Sequence, residues 1–252
     1  MKRFFTSLAL FLIPFLVSSQ NSQCKVVINE IMYSPPGSGG NNMHGNDLFT
    51  ADSAAEWVEL YNPSACDAVD ISCWVLGSDE DSDGGTGLPN NGIFVFPQGT
   101  SIPPHGFVVV GGTAASTKDF DSHKSQYYCG SKRWFLNNQN GWIGLFTNAG
   151  TVVNAVYWST AGKGALASAP EFSKSMATNA SVYTCICSGT TLNSTPAKNL
   201  PGMEFAGTST GGLGEGWKRT VDGGDTWIKE LFSQGTPKAC NAGCAQPLKA
   251  IV

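Results

Sequence analysis

Residues 56–63 read E-W-V-E-L-Y-N-P, and this stretch decides the fold class of the chain. Val58 and Leu60 alternate with polar or aromatic neighbours, which is the period of two that a β-strand imposes on its side chains. Pro63 ends the run because proline has no N–H to donate to a ladder, and the asparagine before it readily starts a turn. The stretch therefore predicts a strand that stops at a turn.

Two further runs of strand length carry polar residues among apolar ones. Residues 27–32 read V-I-N-E-I-M, and residues 69–76 read V-D-I-S-C-W-V-L. A polar group buried in a strand needs a hydrogen-bond partner, so these positions indicate a structural polar network. The structural polar residues that we expect are Asn29, Glu30, Glu59 and Asn62. We expect Asn29, Glu59 and Asn62 to form hydrogen bonds with backbone groups near the strand ends.

The order of these three motifs resembles the lamin-tail domain, the immunoglobulin-like fold of nuclear lamins that also occurs in secreted bacterial proteins. Later segments fit the same pattern in the same order, namely residues 94–103, 142–153, 216–227 and 235–237. The resemblance spans residues 25–241, and Cys73 stands where the family usually has glycine. It implies an all-β, immunoglobulin-like β-sandwich of the lamin-tail type with long loop insertions.

The chain begins with the pattern of a signal peptide. Lys2 and Arg3 precede an apolar run over residues 4–17, and small or polar residues follow. The run is too short for a transmembrane helix, which needs roughly 20 residues. A lipoprotein is the alternative because Cys24 follows soon after, but residues 20–23 are polar where a lipobox needs leucine and small residues. We expect cleavage near residue 20 and a secreted or cell-surface product.

The rest of the chain is expected to form one decorated domain. We expect a signal peptide over residues 1–20, the sandwich over residues 24–244, and a linker or truncated tail over residues 245–252, with the natural chain continuing past it. The predicted strands lie near residues 25–32, 56–62, 69–77, 92–97, 106–111, 142–147, 151–158, 181–187, 216–221 and 226–231. Turn-rich inserts are predicted over residues 35–53, 79–91, 113–140 and 159–214.

Composition and charge exclude one class of partner. Thirty glycines, 13 prolines and only 13% charged residues indicate many turns and few amphipathic helices. Loss of the first twenty residues removes two cations and no anion, which changes the formal net charge from −4 to −6. Lamin tails are associated with chromatin, but a chain this acidic lacks the basic surface that phosphate binding needs. We therefore expect no nucleic-acid partner and no membrane span.

The even number of cysteines predicts disulfides, because disulfides persist in exported proteins. The eight candidates are Cys24, Cys66, Cys73, Cys129, Cys185, Cys187, Cys240 and Cys244. Eight cysteines allow about 105 pairings, of which we prefer Cys24 with Cys66 because both flank neighbouring predicted strands. Structural zinc is the alternative, but the two close cysteine pairs lack the C-x2-C spacing of zinc ribbons. Only His44, His105 and His123 could add ligands.

No motif of nucleophilic, metalloprotease or phosphate-loop chemistry occurs in the sequence. Glu56 and Glu59 are the paired carboxylates that could do acid–base work. Three positions apart in a strand, they are expected to point to opposite faces. We predict no catalytic residue and no enzyme activity in this chain.

One acidic run resembles the start of a calcium loop. Asp79, Asp81 and Asp83 stand at alternate positions, and a glycine follows at the sixth position. The second half departs from the pattern, because Asn90 stands where a bidentate glutamate belongs. We favour an ordinary solvated turn and keep a weak calcium site as the alternative, with no other cofactor expected.

Two functions fit these features. The first is a non-catalytic extracellular immunoglobulin-like module with an adhesive, anchoring or spacing role in an exported protein. The alternative is an accessory domain that binds a carbohydrate or another polymer and delivers a hydrolase located elsewhere. Tyr127, Tyr128 and Trp134 could form an aromatic platform for such a ligand, although packing onto the sandwich is the expectation we favour. The expected partner is an extracellular protein or a polysaccharide.

Overall fold

The structure is a computed structural model, and it describes residues 25–36, 55–78, 93–113, 115, 117–122, 136, 138–163 and 202–241. The first seven strands in chain order are β1 (Val27–Ser34), β2 (Trp57–Tyr61), β3 (Val69–Asp70), β4 (Val75–Ser78), β5 (Ile93–Val95), β6 (Ser101–Ile102) and β7 (Phe107–Gly111). The remaining six are β8 (Phe120–Asp121), β9 (Asn140–Phe146), β10 (Val152–Ser159), β11 (Glu204–Gly207), β12 (Glu215–Arg219) and β13 (Trp227–Leu231). A single 3-10 turn (Phe232–Gln234) follows β13.

Two large sheets and one small sheet build the described part of the molecule. The larger has six strands in the order β13-β12-β1-β2-β7-β8, and the other has five in the order β11-β10-β9-β4-β5. Neighbouring strands are antiparallel except β7 with β8 and β10 with β11, which are parallel. A small two-stranded sheet pairs β3 with β6. The all-β, immunoglobulin-like sandwich predicted from the sequence is confirmed.

The core fills the space between the two large sheets. Its members from the six-stranded sheet are Ile28, Ile31, Tyr33, Val58, Leu60, Val108, Val110 and Trp217, and those from the five-stranded sheet are Leu76, Phe94, Ile143, Leu145, Val153, Val156, Trp158 and Ala206. The rings of Tyr33 and Trp158 stack across this space with their centroids 4.9 Å apart. Burial of each large side chain contributes about 1.5–3 kcal/mol, so this layer is the main source of stability.

A bulge in β1 sets which side chains reach the core. Ile28 and Glu30 pair with consecutive residues of β2, so Asn29 is an extra residue in the ladder. The bulge reverses the alternation of the strand. Ile28 and Ile31 therefore both lie in the core although they are three positions apart, and Glu30 comes to lie opposite Glu59. The bulge is what brings these two acidic residues together.

The predicted strand over residues 69–77 is wrong in one respect, because the chain divides it between two sheets. β3 belongs to the small sheet and β4 to the five-stranded sheet. Between them Cys73 has a φ of 61°, a left-handed backbone conformation that glycine adopts most easily. The glycine usual in the family at this position is therefore explained by the turn that Cys73 makes here.

Two of the predicted inserts contribute strands to the sandwich. The insert over residues 113–140 supplies β8 beside β7, and the insert over residues 159–214 supplies β11 beside β10. The predicted strand near residues 181–187 lies outside the described residues. Among the residues that the structure describes, no helix is long and apolar enough to cross a membrane.

Candidate functional site

Four ionisable side chains lie together on the outer face of the six-stranded sheet, and we call this group the acidic face. Its members are Glu30 on β1, Glu59 on β2, Lys218 on β12 and Glu230 on β13. Glu30 pairs with Glu59 on one side and with Lys218 on the other, and side chains of paired residues share a face. The relative exposure of Glu30 and Glu59 is 0%, and that of Glu230 is 1%. Three buried carboxyl groups therefore lie beside one half-buried ammonium.

The segment that follows the 3-10 turn binds to the acidic face through its backbone, and we call residues 235–241 the C-terminal strap. The Thr236 amide donates to Oε1 of Glu30 at 2.7 Å, and the Thr236 hydroxyl donates to Oε2 at 3.0 Å. The Lys238 amide donates to Oε2 of Glu59 at 2.6 Å. A hydrogen bond contributes about 0.5–1.5 kcal/mol, so these three bonds together hold the strap on the sheet.

Asn29 connects the strap to the turn between β12 and β13. Its Nδ2 donates to Oε1 of Glu59 at 2.9 Å and to Oδ1 of Asp222 at 2.8 Å. Its Oδ1 accepts the Gly223 amide at 3.1 Å. Asp222 in turn accepts the Asn241 amide, at 3.2 Å and 3.3 Å to its two oxygens. One bulged side chain therefore links β2, the turn and the end of the strap.

Burial makes the carboxyl groups of the acidic face weak acids. It raises the pKa of Glu59 well above the usual value, and the neighbouring Glu30 adds to the rise. Burial and the adjacent Glu30 carboxyl raise the pKa of Glu230 to about 9, against the Lys218 ammonium, which lies 3.3 Å from Glu230 Oε2. Burial also raises the pKa of Glu30, although the Thr236 amide opposes it. Glu230 therefore keeps its proton at neutral pH.

Asn62 fixes the turn that ends β2. Its Nδ2 donates to the carbonyls of Asp67, Ile102 and Pro103 at 2.8, 2.9 and 3.1 Å. Its Oδ1 accepts the Ser64 amide at 2.9 Å. The side chain is buried and every polar atom has a backbone partner, so Asn62 acts as a structural residue.

A buried arginine joins the two large sheets, and sequence reasoning missed it. Arg219 on β12 forms an ion pair with Glu204 on β11 at 3.0 Å, and its Nε donates to the Ile28 carbonyl at 2.8 Å. Its guanidinium carbon lies 4.5 Å from the centroid of the Trp227 ring, and the indole N–H of Trp227 donates to Glu204 at 3.0 Å. Burial disfavours the Glu204 carboxylate, but the charge of Arg219 and the hydrogen bonds from Arg219, Trp227 and Asn154 together lower its pKa. The signal in the sequence that could have pointed to this arginine is the pair of basic residues Lys218 and Arg219 within a predicted strand.

The other sequence-predicted sites are placed as follows. The predicted calcium ligands Asp79, Asp81 and Asp83 and the predicted platform residues Tyr127, Tyr128 and Trp134 lie outside the described residues. Within the described ranges, no group of three or more His, Cys, Asp or Glu side chains could hold a metal ion. His105 lies in a turn with its Nδ1 2.9 Å from the Tyr61 hydroxyl.

Glu56 and Glu59 serve separate hydrogen bonds rather than a shared one. Oε2 of Glu56 accepts the Leu136 amide at 2.7 Å, whereas Glu59 accepts from Asn29 and the strap. The structure therefore does not bring this pair together.

The predicted pair of Cys24 with Cys66 is wrong. Cys66 is exposed and its thiol is free. It lies in the turn after β2, where its amide donates to Oγ of Ser64 at 3.3 Å. Cys73 and Cys240 each take part in a disulfide. The other five predicted disulfide residues, Cys24, Cys129, Cys185, Cys187 and Cys244, lie outside the described residues.

The fold and the internal polar network define an immunoglobulin-like β module. The family model for the lamin tail domain matches residues 19–160, which is more than half of the chain. The chain belongs to the lamin tail domain family. The matched range ends just after β10, so β11 to β13 and the strap lie beyond it. A search of curated proteins found no match.

Proposed function

We propose that this chain is a non-catalytic immunoglobulin-like module of an exported protein, with an adhesive, anchoring or spacing role. The signal-peptide pattern over residues 1–20 supports export, because a charged start, a short apolar run and a polar exit are what the secretion machinery recognises. The acidic balance of the chain supports a protein or polysaccharide partner rather than a nucleic acid.

The observation that carries the proposal is the use of the buried carboxyl groups. Glu30 and Glu59 are both buried and accept backbone amides of the strap. A general acid or base has to reach a substrate, whereas these groups are enclosed and hydrogen-bonded to their own chain. Their role is to hold the two ends of the domain together.

This arrangement suits a domain that carries force between its neighbours. β1 lies inside the six-stranded sheet, with β2 on one side and β12 on the other. The strap at the other end of the described chain is bonded to β1 through Glu30. Tension applied between residues 25 and 241 would have to break the ladder beside β1 and the bonds of the strap together, which supports an anchoring or spacing role.

Export is tested by expressing the full chain and analysing the culture medium. We expect the mature protein outside the cell, with a new N-terminus near residue 20 by mass spectrometry. A replacement of Leu10 by Arg in the apolar run is the control and should retain the protein inside the cell. Full-length, uncleaved protein in the cytoplasm of the unaltered chain would contradict the proposal.

Binding is tested with the mature protein coupled to beads. We expect whole cells or insoluble polysaccharide to retain the beads. The mass of the cell-surface material or polysaccharide that binds to the beads should stay unchanged. Beads that carry the reduced, urea-unfolded chain are the control and should not be retained. Retention on cellulose or chitin alone would favour the polymer-binding alternative, and chemical conversion of the bound material would overturn the non-catalytic assignment.

A further inference from the structure

An amine and two carboxyl groups meet on three neighbouring strands of the six-stranded sheet. Glu30 on β1 lies directly opposite Lys218 on β12. The Lys218 Nζ lies 3.3 Å from Oε2 of Glu230 on β13. The Glu30 and Glu230 carboxyl groups also interact with each other. A lysine amine, which is a nucleophile once it has lost a proton, is therefore placed against a carboxyl group with a second carboxyl group beside both.

The carboxyl group of Glu230 is enclosed in the protein. Its residue is 1% exposed, and apart from Lys218 and Glu30 no residue that the structure describes donates a hydrogen bond to its oxygens. A Cβ atom at Gly216, which pairs with Glu230, would lie 3.0 Å from Oε1, so the glycine makes room for the carboxyl group. A buried carboxyl group with so few donors keeps its proton. The protonated form is the one that an amine can convert to an amide.

The amine of Lys218 is held in position and has a base opposite it. Its Nζ donates to the Gln234 carbonyl at 2.7 Å, and its side chain is only 13% exposed. The Thr236 amide and hydroxyl donate to Glu30 at 2.7 Å and 3.0 Å. Hydrogen bonds of this kind favour the ionised form of a carboxyl group, so Glu30 can accept a proton from the ammonium.

We propose that Lys218 and Glu230 join through an amide bond between their side chains, with Glu30 carrying the protons and one water leaving. Glu30 takes a proton from the ammonium, and the lone pair of Nζ then forms a bond to Cδ of Glu230. The electrons of the C=O bond move to its oxygen. Glu30 gives its proton to the hydroxyl oxygen, the C=O bond forms again, and the Cδ–OH bond breaks to release water. Glu30 then takes the second proton from Nζ, which leaves a neutral amide and a protonated Glu30.

Proximity favours a bond that dilute amines and carboxylic acids do not form unaided. Well-oriented groups within one molecule react as if they were present at about 10⁵–10⁸ M. The enclosed site also keeps out the water that would reverse the reaction. Both reacting groups belong to the same chain, so enclosure does not keep them apart. The bond would fasten β13, the last strand of the six-stranded sheet, to β12, and it does not depend on the anchoring role proposed above.

A second ion pair between the same two strands provides an internal control. The Lys229 Nζ lies 3.1 Å from Oε1 of Glu215, which is closer than in the first pair. However, the Lys229 side chain is 32% exposed, and Glu215 accepts hydrogen bonds from the hydroxyls of Tyr33 and Thr210. Such bonds favour the carboxylate, which an amine does not attack. We therefore expect Lys229 and Glu215 to stay unlinked.

Trypsin digestion and mass spectrometry of the full mature protein, unfolded and reduced before digestion, test the proposal. An amide on Lys218 blocks cleavage after this residue, so the expected product joins residues 199–219 to residues 230–238. Neither peptide contains cysteine, so a disulfide cannot join them. We expect a mass about 18 Da below the sum of the two peptides, because the bond forms with loss of one water. Fragmentation should place the link on Lys218 and Glu230, and cleavage after Lys229 should remain normal.

Two variants test the roles of the amine and of the base. Lys218→Arg keeps a positive charge but has no reactive amine, so it should give only the separate peptides. Glu30→Gln keeps the size of the side chain but cannot carry protons. In samples taken at intervals after cell-free synthesis of the mature chain, its joined peptide should form about 100-fold more slowly than in the unaltered chain. Circular dichroism shows whether each variant folds.

The digest of the unaltered protein decides the matter even if a variant does not fold. Separate peptides alone, with normal cleavage after Lys218, would overturn the proposal. An unchanged rate in folded Glu30→Gln, or a bond between Lys229 and Glu215, would overturn it as well, because the burial of the site and the base would then not be the cause.

Discussion

Replacement of Asn29 by alanine is expected to be among the most damaging single changes outside the apolar core. The side chain is fully buried and serves three partners, which are Glu59, Asp222 and the Gly223 amide. Alanine leaves all three without the group that satisfied them. The backbone bulge at this position is not itself removed, so the loss is confined to the hydrogen bonds.

The size of the stability loss follows from the buried polar groups that Asn29→Ala leaves without a hydrogen-bond partner. A buried group that loses its hydrogen-bond partner costs about 1–3 kcal/mol, and the cost is highest for Glu59, which has no solvent contact. Because the three bonds share one side chain, their losses do not simply add. We expect a loss of about 3–5 kcal/mol in the free energy of unfolding, a large part of the roughly 5–15 kcal/mol of an ordinary domain. The melting temperature should fall by about 6–20 °C.

Urea unfolding of the mature, oxidised protein, followed by far-ultraviolet circular dichroism, measures this loss. Asn148→Ala is the matched control, because Asn148 lies exposed in the turn between β9 and β10. A change within about 0.5 kcal/mol is expected there. If Asn29→Ala lost less than about 1 kcal/mol, the three hydrogen bonds would not hold the strap and the turn as we argue.

Three further outcomes are expected. Because burial raises the pKa values of the acidic face, the folded state binds more protons than the unfolded state between the ordinary glutamate pKa of 4.5 and about 9. The free energy of unfolding should therefore be higher at about pH 5.5 than at about pH 8.5. Each carboxyl group with a raised pKa contributes up to about 1.4 kcal/mol per pH unit to this difference. Equal urea midpoints at the two pH values would contradict the expectation. Arg219→Met should lose about 1–3 kcal/mol, because Glu204 loses its charge partner and keeps only the hydrogen bonds from Trp227 and Asn154. Arg219→Met combined with Glu204→Gln should recover part of the loss, and no recovery would show that the ion pair is not the cause. Calcium at 10 mM should raise the melting temperature of the unaltered protein but not of Asp81→Ala if the acidic run binds the ion, and equal or absent shifts would leave it a solvated turn.

The period of two was enough to predict the main strands but not where each one bends. Residues 56–63 and 27–32 form β2 and most of β1, as their alternation and β-branched residues predict. Ile28 and Ile31 are three positions apart, and only the pairing with β2 shows that Asn29 is the extra residue between them. Residues 69–76 divide between two sheets because Cys73 has a left-handed backbone conformation. A cysteine side chain gives no indication of that conformation.

The short strands could not be predicted because neighbours, and not their own sequences, create them. β8 has two residues and β11 has four, and each is the parallel neighbour at the end of a sheet. Local propensity carries little information over such lengths. The role of Glu30 depends on Thr236, which lies far along the chain, and no spacing rule connects two such positions. The polar residues in the strands were enough to predict that a hydrogen-bonded network exists. They did not show which residues elsewhere in the chain supply the partners.

The position of β1 has a consequence for the order in which the chain can fold. β1 is made first, yet one of its two neighbours, β12, comes close to the end of the described chain, with Glu30 opposite Lys218. Until β12 has been synthesised, β1 and β2 present an open edge that other chains could pair with. Contacts between distant segments also make folding slow. A chaperone that shields this edge, or passage across a membrane before folding, would therefore protect the newly made protein from aggregation.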